Sequence, residues 1–242
     1  MWAAVGGNVG NNTAIFDETS VVSVGGGHGK VLNQHFIAGL YYDDDDGFSM
    51  FVPLAQAVDE ATIEYDVRFL PGGSFGWGGK LPGLCGVTPG HGNPPSGGNP
   101  SQYGWSSRGM WINPDSYDYV SGTNEWIGYV YDPLQPTGPY EYGQNRRTRM
   151  AFAMDGGWVH VKQYHKMNTV ITDGKSWSAN GIHRMYWNGN LVYEKTDQVY
   201  RKYAAGRITH WAVDLLYGGA TSDWAPTSDT DIQIDNIVIT SP

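Results

Sequence analysis

The sequence predicts an all-β fold whose strands need two sheets. Short runs rich in β-branched and aromatic residues recur between Gly, Pro and Asn clusters along the 242 residues, the pattern of a sandwich or barrel. The 34 glycines are about twice the usual ~7% share, and charged residues make up 16% against a usual ~25%. No stretch carries the apolar period of an amphipathic helix.

The first predicted strands cover 28–37 and 48–54. The third is the clearest: in Ala61-Thr62-Ile63-Glu64-Tyr65-Asp66-Val67-Arg68-Phe69 the apolar residues share one face and Glu64, Asp66 and Arg68 the other. A strand end follows at Gly78-Gly79-Lys80-Leu81-Pro82-Gly83-Leu84, where alternation buries Leu81 and turns Lys80 to the opposite face. Residues 86–105 read as one long aperiodic loop, and loops of that length inside compact domains are usually functional or disordered. Strands resume at 107–112 and 124–131. In Trp126-Ile127-Gly128-Tyr129-Val130-Tyr131 the two tyrosines share a face, with Trp126, Gly128 and Val130 on the other. The remaining strands are 149–154, 157–165, 182–187, 190–199, 207–217 and 231–239. Asn188-Gly189 between two of them signals a tight type I′ hairpin. About a dozen strands exceed what one sheet comfortably holds. The length suits a single domain over 1–242, with 1–27 as a peripheral N-terminal segment.

Charge and composition exclude several functions. A net charge of −9 and a pI near 5.1 argue against nucleic acid or an anionic membrane as a partner. A mean hydropathy of −0.41 without a long apolar run argues against a membrane span. Cys85 is the one cysteine, so there is no internal disulfide and no CxxC zinc pattern. None of the seven histidines forms an H-E-x-x-H pair. Gly25-Gly26-Gly27-His28-Gly29-Lys30 has Val24 and Val31 where a phosphate loop needs Gly and Ser/Thr. Nothing in the sequence sets the oligomeric state.

The charge is also unevenly placed. Residues 1–145 hold 4 cations against 15 acids, so each cation there stands out. Lys80, and Arg108 within Ser106-Ser107-Arg108-Gly109-Met110-Trp111, are the only two cations between residues 69 and 145, and they sit on consecutive predicted strands. The Tyr129 and Tyr131 pair comes next.

Strand 61–69, GGKLPGL, SSRGMW, the YVY strand, Trp158 with Asn168, and the closing Tyr217-Gly218-Gly219, Trp224-Ala225-Pro226 and Asp235-Asn236 together resemble the polysaccharide lyases of family 14 and the related glucuronan lyases of family 20. The resemblance spans roughly 28–240. It implies a β-jelly roll, a sandwich of two antiparallel sheets with a substrate groove on one concave face. It implies cleavage of a uronic-acid polymer such as alginate or glucuronan by β-elimination, an acidic polysaccharide as partner, and no required cofactor. By resemblance, Lys80, Ser106, Arg108 and a Tyr-x-Tyr pair line the groove. Two such pairs exist, Tyr117 with Tyr119 and Tyr129 with Tyr131. The second keeps the family's order and sits on the better strand, so the catalytic candidates are Lys80, Arg108, Tyr129 and Tyr131. Arg68, Trp77, Ser106, Tyr117 and Tyr119 are the substrate-binding candidates. An acidic polysaccharide substrate implies an extracellular or secreted protein, although residues 1–7 lack the flanks of a secretion signal.

The residue types suit this chemistry. Removing the C5 proton of a uronate builds negative charge beside an ionised carboxylate, so cations or strong donors must face that carboxylate. Arg grips it through two hydrogen bonds; Lys supplies a point charge and, with its pKa lowered by burial or a neighbouring cation, a base. Cations beside a tyrosine favour its phenolate, which makes Tyr129 and Tyr131 candidates to take the C5 proton or to give one to O4. Arg68, Arg146 and Arg149 are further cations for a positive groove, and Trp77, Trp105 and Tyr103 further platforms for sugar rings. A glycoside hydrolase using Glu64 and Asp66 and a non-catalytic carbohydrate-binding module are the rival readings. A structural calcium has two candidate places, the run Asp43, Asp44, Asp45, Asp46, where a solvated turn is the plainer reading, and Asp235, which the resemblance to jelly-roll enzymes implies. Asn11-Asn12-Thr13 matches a glycosylation triplet.

Overall fold

The computed structural model describes residues 19–24, 28–42, 46–112, 124–138, 140–219 and 221–242. Fifteen strands are described: β1 Thr19–Val24, β2 Gly29–Phe36, β3 Phe48–Val58, β4 Glu60–Phe69, β5 Gly78–Val87, β6 Gly104–Ile112, β7 Glu125–Tyr131, β8 Gln144–Ala151, β9 Val159–Lys166, β10 Val170–Thr172, β11 Ser176–Trp177, β12 Gly181–Trp187, β13 Asn190–Gln198, β14 Ile208–Tyr217 and β15 Thr230–Thr240. They form a seven-stranded sheet in the order β1-β2-β15-β4-β9-β12-β13 and a six-stranded sheet in the order β3-β14-β5-β6-β7-β8, with β10-β11 as a separate hairpin. Every described strand pair is antiparallel. This is the expected two-sheet antiparallel sandwich. No described helix is long and apolar enough to cross a membrane.

Strand β4 shows why the sheets face each other. Its burial alternates residue by residue, with Ala61, Ile63, Tyr65, Val67 and Phe69 buried and the residues between them partly exposed. Those side chains pack against Leu81, Leu84, Trp105, Trp111, Trp126 and Leu215 of the six-stranded sheet in one core. Burying each large apolar side chain stabilises by roughly 1.5–3 kcal/mol. Strands β6 and β7 are buried almost throughout, because their inner face meets this core and their outer face carries a second cluster of Met110, Ile112, Ile127 and Trp224.

The Asn188-Gly189 turn joins β12 to β13 with positive φ at both residues, 47° and 82°, as a type I′ hairpin requires. Three expectations change. The strand expected at 149–154 is β8 at Gln144–Ala151, a polar edge strand whose Arg147 and Arg149 bond Glu125; the alternating Met150, Phe152 and Met154 drew the expectation C-terminally. Residues 19–24, expected to be peripheral, form the edge strand β1 against β2. The long loop shrinks to 88–103 and is ordered by Thr88 N–H donating to Tyr103 O at 2.7 Å and by His91 stacked on Tyr103 at 3.7 Å.

Candidate active site

Strands β5, β6 and β7 are neighbours, and their pairing register builds the site. Arg108 lies directly opposite Tyr129, Ser106 opposite Tyr131, and Lys80 opposite Met110, two residues along β6 from Arg108. All therefore turn to the outer face of the six-stranded sheet. Lys80, Arg108, Tyr129 and Tyr131 line one groove of about 660 Å³. Lining residues come from all six strands, from Ser49 on β3 through Leu216 on β14 to Asn145 on β8, so the groove runs across the sheet.

Arg108 is 1% exposed and its guanidinium is held from three sides. Nε pairs with Asp214 Oδ2 at 2.9 Å, Nη1 donates to Ser96 Oγ at 3.1 Å, and Nη2 donates to Pro95 O at 3.2 Å. Asp214 in turn accepts from Ser49 Oγ at 2.6 Å. The Lys80 ammonium stands 5.2 Å from the centre of the Tyr129 ring. Burial first, and Arg108 second, push the Lys80 pKa down to about 8, with Asp214 opposing them. The two phenol rings meet edge to face at 5.6 Å. Each oxygen accepts a backbone N–H: Tyr129 from Gly143 at 3.0 Å and Tyr131 from Gly98 at 2.9 Å.

The expectation that cations favour the phenolate is corrected at Tyr129. Burial and the neighbouring Tyr131 raise its pKa by more than the Gly143 N–H and Arg108 lower it, so the resting group is the neutral phenol. Desolvation is the largest of these effects and the Arg108 charge the smallest.

The other predicted residues separate. Trp77 lines the groove, edge-on to Trp224 at 6.0 Å. Ser106 is fully buried beneath the loop, donating to Pro95 O at 2.7 Å. Arg68 belongs to the opposite sheet, where alternation with the buried Val67 and Phe69 turns it outward to Gln233 and to the Trp158 ring. Trp105 is fully buried in the core against Tyr200, and Tyr103 stacks between His91 and Tyr203. Arg146 bonds Asp132 and Gln198, and the Arg149 N–H donates to Glu125. Tyr117, Tyr119, Asn11 and the acids 43–45 lie outside the described residues. Asp46 is buried and accepts the Ile37 N–H at 3.2 Å. Asp235 sits 3.1 Å from His28 and opposite Asp66 across β15 and β4. Among the described residues no three His, Cys, Asp or Glu side chains are grouped to hold a metal ion.

Glu64 and Asp66, the carboxylates of the hydrolase reading, lie on the outer face of the seven-stranded sheet. They are paired with Lys162 at 3.1 Å and His160 at 2.8 Å, on the far side of the sandwich from the groove.

Sequence reasoning missed Asp214, Ser96 and the rim tyrosines Tyr140 and Tyr142, which are 79% and 54% exposed. Asp214 did leave a signal: it is the one acid in Ile-Thr-His-Trp-Ala-Val-Asp-Leu-Leu-Tyr, and a charge on a buried strand needs a partner. Ser96 had none within a loop of small polar residues.

Comparison with known proteins follows the same outline. The sequence model of the family described as Polysaccharide lyase 14 matches residues 26–237. The marine PL-14 alginate lyase from Aplysia kurodai superposes with a TM-score of 0.75 at 22% identity, over 93% of this chain and 88% of that one. An alginate lyase Aly36B variant, with a lysine and a tyrosine replaced by alanine and solved in complex with alginate tetrasaccharide, superposes at 0.71 with 23% identity, over 88% and 81%. The endo-β-1,4-glucuronan lyase from the fungus Trichoderma reesei superposes at 0.57 with 13% identity, over 93% and 87%. At these identities the likeness is one of fold, the jelly roll of alginate lyases. A comparison with curated proteins finds no match.

Proposed function

The chain belongs to the polysaccharide lyase 14 family, and from that premise we propose that it cleaves a uronic-acid polymer, alginate or glucuronan, by β-elimination in the groove of the six-stranded sheet. The observation that carries this reading is the convergence of Lys80, Arg108, Tyr129 and Tyr131 on one groove. The solved relatives act on alginate and on glucuronan, which supports the substrate class.

β-Elimination breaks the C5–H and C4–O4 bonds and forms a C4=C5 double bond. A base takes the C5 proton and an acid gives one to O4. The charge that builds beside the uronate carboxylate is met by Arg108 and by Lys80 while it is protonated, in a groove where burial strengthens their field. A Lys80 pKa of about 8 leaves a substantial share of neutral amine at mildly alkaline pH, which makes Lys80 the candidate base. Tyr129, kept as the phenol by burial, is the candidate acid, and Tyr131 packs against it. The side chains supply the charges and protons this elimination needs, without calling on a metal or cofactor.

A groove crossing six strands is roughly 24 Å long at the usual ~4.8 Å interstrand spacing, enough for several sugar rings, and supports endolytic action. A polymer of this class supports action outside the cell.

The test is to incubate the protein separately with alginate and with glucuronan and follow the ultraviolet absorbance of the unsaturated uronate. New absorbance with falling chain length is expected. New reducing ends without absorbance would mean a hydrolase, and binding without cleavage a carbohydrate-binding module.

A further inference from the structure

The loop between β5 and β6 bonds three predicted site residues, Ser106, Arg108 and Tyr131, through Pro95, Ser96 and Gly98. Pro95 O accepts from Ser106 Oγ at 2.7 Å and from Arg108 Nη2 at 3.2 Å. Ser96 Oγ accepts from Arg108 Nη1 at 3.1 Å. The Gly98 N–H donates to Tyr131 Oη at 2.9 Å. The turn is closed on itself by Asn99 N–H donating to Ser96 O at 3.1 Å and by the Asn99 amide donating to Gly97 O at 3.0 Å. Gly97 and Gly98 have φ of +60° and +77°, where a side chain is strained. A second segment rests on it: Glu141 N–H donates to Gly98 O at 3.1 Å, and two residues on, Gly143 N–H donates to Tyr129 Oη at 3.0 Å. Gln135 holds that segment through Nε2 to Tyr142 O at 2.7 Å.

We propose that the turn at 95–98 is a positioning element for the reaction, in which Ser96 sets the plane of the Arg108 guanidinium and the Gly98 N–H fixes the Tyr131 phenol oxygen, while substrate is handled by the groove residues themselves. This deepens the lyase reading and rests on it. The physical reason is preorganisation. With Nε tied to Asp214, the opposite end of the guanidinium is fixed by Pro95 O and by Ser96 Oγ, and Ser96 is the partner there that a side-chain substitution removes. An N–H aimed at the Tyr131 oxygen holds that phenol where its ring packs against Tyr129. Ser96 and Arg108 both line the groove, so this hydrogen bond lies at its wall.

The test compares Ser96→Ala, Ser96→Thr and a protein in which glycolic acid replaces Gly98, which changes that one amide to an ester and deletes the N–H alone. Expected for Ser96→Ala is a kcat about 10-fold lower on a polyuronate with an unchanged melting temperature, and recovery of at least half the native kcat in Ser96→Thr, which keeps the hydroxyl. The Gly98 ester should lower kcat by about 10-fold with little change in KM. An arm independent of turnover follows hydrogen exchange of the Arg108 Nε–H by nitrogen-15 NMR, expected to be at least 10-fold faster in Ser96→Ala than in the native chain. Native kcat in Ser96→Ala and in the ester would overturn the proposal while leaving the lyase reading intact. A native chain that releases no unsaturated product would defeat the lyase reading, and native-like exchange in Ser96→Ala would defeat the positioning role of Ser96.

Discussion

Arg108 on β6 and Asp214 on β14 form an ion pair at 2.9 Å in which the side chains are 1% and 0% exposed, although 106 residues separate them in the chain. Strand β5 lies between their strands in the sheet, so the pair reaches across it beneath the groove. The pair explains how a buried guanidinium is tolerated in the six-stranded sheet. Lys80 is the other cation that lines the groove, and Asp214 also acts on its charge.

Replacing Asp214 by Ala should leave Arg108 charged and buried with no counter-ion. Breaking a buried pair from one side costs roughly 3–5 kcal/mol, and urea unfolding of Asp214→Ala against the native chain should show a loss of that order. A loss below about 1 kcal/mol would mean that Arg108 finds water or another partner.

Lys80 gives a pH prediction with a defined sign. Its pKa is lowered to about 8, so the neutral amine grows as pH rises through that value. With Lys80 as base, kcat/KM should climb with pH and level off above about 8. Lys80→Arg keeps the positive charge but holds its proton at every working pH, and should lose at least ~100-fold in kcat. Retained turnover in Lys80→Arg would reduce Lys80 to an electrostatic role.

Tyr129→Phe removes the candidate acid while keeping the ring against Tyr131 and Lys80. A loss of ~100- to 10,000-fold in kcat is expected, the usual range for a general acid. Tyr117→Phe, assayed alongside, should stay near native; the opposite ranking would move the site to the other tyrosine pair.

Acid should destabilise the fold through two buried histidines. His165 and His183 stack at 4.6 Å between the sheets, and burial lowers the pKa of His165 to about 3 and that of His183 well below its ordinary value. The unfolded chain binds their protons below about pH 6.5 while the folded chain does not, so stability is full above that pH and falls as pH drops. At pH 5 the loss from His165 is about 2 kcal/mol, and His183 adds to it in the same direction. Urea midpoints at pH 7.5 and pH 5 measure it, and equal midpoints would show that the histidines are solvated in the folded state.

Where pattern is local, the sequence was readable. The alternation of β4, the Asn188-Gly189 turn and the two scarce cations on consecutive strands each depend on neighbours in the chain, and each appears where expected. The convergence of Lys80, Arg108, Tyr129 and Tyr131 follows from strand alternation once β5, β6 and β7 are known to be adjacent. What stayed hidden depends on distant pairing. Arg68 reads as a groove cation only until β4 is seen in the opposite sheet, and Trp105 as a sugar platform only until its strand face is known. The acid that holds Arg108 arrives from β14, and the turn at 95–98 meets Arg108 and Tyr131 through two backbone groups and one hydroxyl from a loop of small polar residues, which carry no sequence signal.

The most direct measurement is a crystal structure of Lys80→Ala with a bound uronate tetrasaccharide. The sugar chain is expected across the six-stranded sheet, with a carboxylate beside Arg108 and a glycosidic O4 within hydrogen-bonding reach of Tyr129. A sugar chain seated instead in the depression between Glu60, Lys162 and Tyr186, on the outer face of the seven-stranded sheet, would contradict the assignment of the groove.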